Sequence, residues 1–168
     1  MLKKVMPFFI VLAMVGVIVT LFLSLGTSQQ MIVIREGNLE REALKMEPHK
    51  HQDSQCGMVI EELDDASQVV APSGKTWFFH DHGGFILWLE DKAFKDEAVI
   101  WVMSRDSKKW IDGREAFYSL TDRTPMGYGF AAYEKKLDGH VEFETMQLKM
   151  LRGETMNNPH IRQQLLAN

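Results

Sequence analysis

The first apolar block of the chain, Met6 to Leu25, reads MPFFIVLAMVGVIVTLFLSL, twenty residues without a charge. At about 1.5 Å per residue a helix of that length spans roughly 30 Å, the hydrocarbon thickness of a bilayer. The pattern predicts a membrane-spanning N-terminal helix over residues 6–25. Lys3 and Lys4 precede it, which puts its start in the cytoplasm and the remainder outside. The rival reading is a cleaved signal peptide, because Ser24-Leu25-Gly26 offers small residues at the right place. The run is longer than the roughly 7 to 15 residues usual for such a leader. Both readings place residues 27–168 in the periplasm or an equivalent extracytoplasmic space.

Beyond residue 26 the pattern turns polar. Residues 27–55 read as a tether: TSQQ, a short apolar run from Met31 to Ile34, a charged stretch with room for a helical turn or two before Pro48, and the polar HKHQDSQ. The folded domain is expected over residues 56–168. QVVAP and TWFFH alternate like two strands around the turn SGK, a hairpin. In DHGGFILWLEDKAF, Phe85, Trp88 and Leu89 fall at i, i+3 and i+4, so a helix is predicted, with Asp81 placed to cap it. AVIWVMS is strongly β-prone and reads as a central strand. EAFYSL and GYGFAAYE are strand-like around the turn TDRTPMG. Phe143, Met146, Met150 and Leu151 mark an amphipathic helix, and Pro159 opens a last one over HIRQQLLA. The order is β-β-α-β, two further strands and C-terminal helices: an α+β fold with a weak internal repeat.

Composition narrows the chemistry. Without Lys3 and Lys4 the chain has 17 basic and 23 acidic residues, a net charge of −6, and no basic stripe for nucleic acid. A single cysteine, Cys56, permits no intramolecular disulfide. Outside the cytoplasm an unpaired thiol needs a use. It stands in QCGM. In an extended segment Cys56 and Met58 point to the same side, a thiolate and a thioether around an adaptable Gly57. Soft sulfur ligands select Cu(I). The bland alternative is a buried cysteine acting as a small hydrophobe. Met126, between Pro125 and Gly127 in a turn, is a second candidate thioether, its alternative being to fold back onto the sheet. Met103, Met146 and Met150 follow strand or helix spacing and read as packing. His80 and His82 in HDHGG join a strand end to a helix start and are secondary candidates; His49 and His51 lie in the polar loop. No second cysteine and no His-Glu-x-x-His favour a zinc site, and no Gly-x-Ser-x-Gly, P-loop or Gly-x-Gly-x-x-Gly is present. A thiol enzyme pairing Cys56 with His80 or His82 stays open.

CGM, QVV…GKTWFFHD, WLED, IWV, WIDGREAFYSL and TPMGYGFAA, in this order over about residues 55–133, resemble the NosL family of copper-binding accessory proteins for nitrous oxide reductase assembly. The resemblance implies two small ββαβ-type units, a fold related to the core of organomercurial lyase. It also implies Cu(I) binding and delivery to the reductase in the periplasm. Its Cys-Gly-Met falls on Cys56, Gly57 and Met58, and its methionine turn on Met126. Three departures stand out. Many relatives are lipoproteins, whereas here an apolar segment does the anchoring. Many carry Cys-x-x-Cys-Gly-Met, but the first position here is Asp53, so with one thiolate either Met126 or a histidine completes the site, or metal binding is weaker or lost. The ending FETMQLKMLRGE does not match the usual one. The reading is a membrane-anchored Cu(I) chaperone for a copper enzyme client. A thiol enzyme related to organomercurial lyase and a metal-free scaffold are the alternatives.

Overall fold

The computed structural model describes residues 2–26 and 31–167, with side chains described over 9–23 and 31–167. They fall into two compact units, 1–30 and 31–168. In the first, helix α1 covers Leu2–Gly26, and every side chain over 9–23 is exposed. Among the described residues no helix is long and apolar enough to cross a membrane. The ends of the expected 6–25 span lie outside the residues whose side chains are described.

The second unit is α+β. Strands β1 (Ile34–Arg35), β2 (Ser67–Val70), β3 (Thr76–Phe79), β4 (Val99–Met103) and β5 (Trp110–Asp112) make one antiparallel sheet in the order β1-β3-β2-β4-β5. The expected hairpin is β2 with β3, Val69 opposite Trp77. β4 lies inside the sheet between β2 and β5. Helix α2 (His82–Glu90) follows β3, and the Asp81 side chain caps it by accepting the Gly83 N–H. β2, β3, α2 and β4 therefore run in ββαβ order. The second half runs differently. Strands β6 (Phe117–Tyr118), β7 (Ala132–Tyr133) and β8 (Val141–Glu142) form a small sheet in the order β7-β6-β8. Helix α3 (Phe143–Leu151) comes after all three, giving βββα in place of a second ββαβ. Helix α4 (Pro159–Leu166) has Pro159 in its first turn and Asn158 as its cap.

Alternation along the strands sorts the core. Val69, Phe79, Ile100 and Val102 share one face and form one cluster with Phe85 and Ile86 of α2, Tyr118 of β6, and Phe143, Met146 and Met150 of α3. The opposite face carries Phe78, buried with Met46, Ile60 and Ala66. Residues 31–55 form that second cover. The segment expected as a tether contributes β1 and buries Met46, His51 and Asp53. No helical turn forms over 40–46. Polar side chains on the covered strand face hold it in place. Gln68, fully buried, donates to Leu44 O at 2.8 Å and accepts from Leu44 N at 2.9 Å. Trp101 Nε1 donates to Arg41 O at 2.9 Å, and Asn38 reaches Thr76 Oγ1 at 3.2 Å. Buried polar groups must find partners; here the partners are the backbone and side chains of the cover.

Candidate metal site at the end of the first hairpin

Residues 53–58 form a turn against the edge of β3. The Asp53 N–H donates to Met58 O at 2.8 Å, and the Gly57 N–H donates to Asp53 O at 3.0 Å. Gly57 has φ of +75°, a left-handed conformation that glycine takes without the penalty of a Cβ. The segment is therefore not extended, contrary to expectation, and Cys56 and Met58 are displayed by a turn. Ser54 fastens it to β3. Its N–H donates to Phe78 O at 2.8 Å, and its Oγ accepts the Phe78 N–H at 3.2 Å.

This brings Cys56 to His80. His80 follows β3 and shares the face of Thr76 and Phe78, so it points toward the cover. Cys56 Sγ lies 3.9 Å from His80 Nδ1. Asp53 is the third member, with one ligand atom from each of the three within 4.8 Å of the others. The Asp53 carboxylate accepts the N–H groups of Gln55 (2.8 Å) and Cys56 (3.0 Å) on Oδ1. Its Oδ2 meets His80 N at 2.9 Å and His80 Nδ1 at 2.6 Å. Burial alone would push this carboxyl up. The His80 hydrogen bond, with the N–H groups of Cys56, His80 and Gln55, instead holds it below the ordinary value. The Cys56 thiol is exposed on the surface of the turn, and its pKa is raised, first by partial burial of the sulfur and then by the Asp53 charge against a lowering contact from Met58.

Met58 is 45% exposed. It lines a cavity of about 500 Å³ together with Val59, Glu61, Glu62, His80 and Pro125. Met126 is the next residue along, half-buried. Its N–H donates to Asp81 Oδ2 at 2.9 Å, and Asn157 donates to its carbonyl at 2.7 Å. Asp81 thus joins the methionine turn to the start of α2, one residue from His80. His82 goes elsewhere. It is fully buried, with Nδ1 2.7 Å from Ser67 Oγ and its ring against Phe85 and Tyr118. Burial, and secondarily the Arg105 charge, lower its pKa to about 3.

The structure therefore brings together Cys56, Met58 and His80, sets the Met126 turn beside them, and takes His82 into the core. Sequence reasoning missed Asp53 as a member of the site and Tyr128 as a neighbour. Tyr128 is half-buried; burial and the charges of Asp81, Cys56 and Asp53 raise its pKa. A Cβ on Gly83 would stand 2.4 Å from the Tyr128 ring, and one on Gly84 2.9 Å from Gln55 Oε1. The paired glycines of HDHGG were the available signal: two adjacent glycines in a helix are costly unless something approaches closely.

A solved structure is similar to this arrangement of chain. The copper chaperone NosL from Shewanella denitrificans superposes with a TM-score of 0.51 over 65% of this chain and 87% of its own, at 17% identity. The fold is NosL-like. At that identity the likeness speaks for the fold alone. No family model matches the sequence, and no curated protein matches it. Among the described residues, Asp53, Cys56 and His80 are a group whose ligand atoms lie close enough to meet on one metal ion.

Proposed function

We propose that the chain is a Cu(I) chaperone, anchored to the cytoplasmic membrane by residues 6–25, that presents copper outside the membrane to a copper enzyme. The observation that carries this reading is the Cys56 sulfur 3.9 Å from His80, beside a cavity lined by the exposed Met58. Thiolate, thioether and imidazole form a soft donor set suited to Cu(I). One thiolate and one Cu(I) sum to zero charge, which suits an ion held at the surface and handed on. The raised thiol pKa means that the ion must displace a proton, so uptake should weaken as pH falls. It also disfavours the thiol-enzyme reading, since an activated nucleophile needs a lowered pKa. His80 Nδ1 already contacts Asp53, so the nitrogen facing the sulfur is not a free base. Nitrous oxide reductase is the client that the sequence resemblance suggests.

Two experiments test this. The full chain in detergent should take one Cu(I) from a chromophoric chelator under reducing conditions. Cys56→Ser should lower that affinity at least ten-fold, whereas Met103→Leu, a near-isosteric change in β4, should leave it unchanged. Failure to draw copper from even a weak chelator would sink the chaperone and favour a metal-free scaffold. For the anchor, alkaline extraction should leave the full chain with the membranes and release a chain begun at residue 27. Release of both would remove the anchor.

A further inference from the structure

The Asp53, Cys56 and His80 cluster has the look of three ligands, yet the aspartate is already committed. A carboxylate has about four lone-pair sites. Asp53, 2% exposed, receives a donor at each: Gln55 N and Cys56 N on one oxygen, His80 N and His80 Nδ1 on the other. To ligate an ion it would have to abandon one of these in a site closed to water. The four accepted N–H bonds are work that a carboxylate does and a thiol, a weak acceptor, would do poorly.

We propose that Asp53 is a positioning residue of the metal site: by accepting the Nδ1–H of His80 and the N–H groups of the Cys56 turn, it leaves His80 Nε2 as the nitrogen lone pair open to the ion and fixes the turn that carries the Cys56 sulfur. The assignment of the proton follows from chemistry. An ionised carboxylate only accepts, so a 2.6 Å contact requires that Nδ1 carry the hydrogen. A neutral imidazole with its proton on Nδ1 has its lone pair on Nε2. Carboxylate partners of this kind fix the tautomer of ligating histidines, and their removal costs about 10- to 100-fold in metal affinity. This inference rests on the copper reading for its function but not for its geometry.

The discriminating variant is Asp53→Asn in the full chain. Its amide oxygen can keep the N–H groups of Gln55 and Cys56, so the turn survives. Its amide nitrogen, which can only donate, then faces both the His80 N–H and Nδ1: the backbone bond is lost, and the His80 proton moves to Nε2, which removes that lone pair from the ion. Two-bond proton–nitrogen spectra of histidine-labelled protein, with His80→Gln to assign the signal, should show the Nδ1–H form in the parent chain and the Nε2–H form in Asp53→Asn. Chelator competition should show Cu(I) affinity at least ten-fold lower in Asp53→Asn, and most of that loss should vanish in a His80→Gln background. An Nε2–H tautomer in the parent chain overturns the proposal with no variant needed. A loss that persists undiminished in the His80→Gln background makes Asp53 a ligand and overturns it too. The tautomer switch in a chain that takes up no Cu(I) supports the orientation and overturns the copper reading instead.

Discussion

His80 and His82 are two residues apart and do unrelated things. The first leaves the end of β3 toward the Cys56 turn; the second opens α2 inside the core against Ser67, Phe85 and Tyr118. Sequence spacing treats them alike, but an i, i+2 pair shares a face only within a strand, and β3 ends at Phe79, before both. The buried histidine carries a pH signature. Its folded pKa, about 3, lies below the value of about 6.5 in an unfolded chain. The unfolded state therefore binds the proton first. The stabilising contribution is fully present above pH 6.5 and is lost as pH falls from there toward 3. Stability of the apo protein measured by urea unfolding should drop by on the order of 2 kcal/mol between pH 7 and pH 5. His82→Gln, which does not titrate, should flatten that part of the profile. An unchanged slope in the variant would assign the acid sensitivity to other groups.

At the scale of elements, the hairpin, the capped α2, the central β4 and α3 were legible because each has a strong period and a recognisable boundary. Asp81 reads as a cap and behaves as one. The site was half legible. The thiol and thioethers stand out by residue type, but the turn that displays them does not, since its conformation depends on Asp53 accepting N–H groups 2 and 3 residues ahead and on a histidine 27 residues away. Met126 tests how far the methionine turn belongs to it. Its backbone is tied to Asp81 and Asn157, so the turn should hold its shape whatever the side chain. Met126→Leu keeps size and apolarity and should change thermal stability of the apo protein by less than about 1.5 kcal/mol. Cu(I) affinity should nevertheless fall several-fold, because leucine offers no sulfur. Unchanged affinity would take Met126 out of the site and leave Met58 as its thioether. A large stability loss with unchanged affinity would make the side chain part of the core.

At the scale of the whole molecule, the departure that matters is the cover made by residues 31–55. Polarity made this segment look like a linker. Polarity is instead how it is held: Gln68, Thr76 and Trp101, on a sheet face that a linker would leave wet, each bond to it. A sheet whose two faces are both buried cannot lose one cover cheaply. Removing residues 27–55 would strip the second face from Phe78, worth about 1.5 to 3 kcal/mol, and would leave the polar groups of Gln68 and Trp101 without partners or newly exposed. It would also delete β1 and the Asp53 that folds the Cys56 turn. Against a total stability of about 5 to 15 kcal/mol for a domain this size, the losses should be decisive. A chain of residues 27–168 should therefore unfold cooperatively, by circular dichroism and amide exchange, whereas a chain of residues 56–168 should show no cooperative transition and no protected amides in β3. A stable, cooperatively melting 56–168 fragment would restore the linker reading. It would also mean that the metal site can be assembled without the element that now positions it.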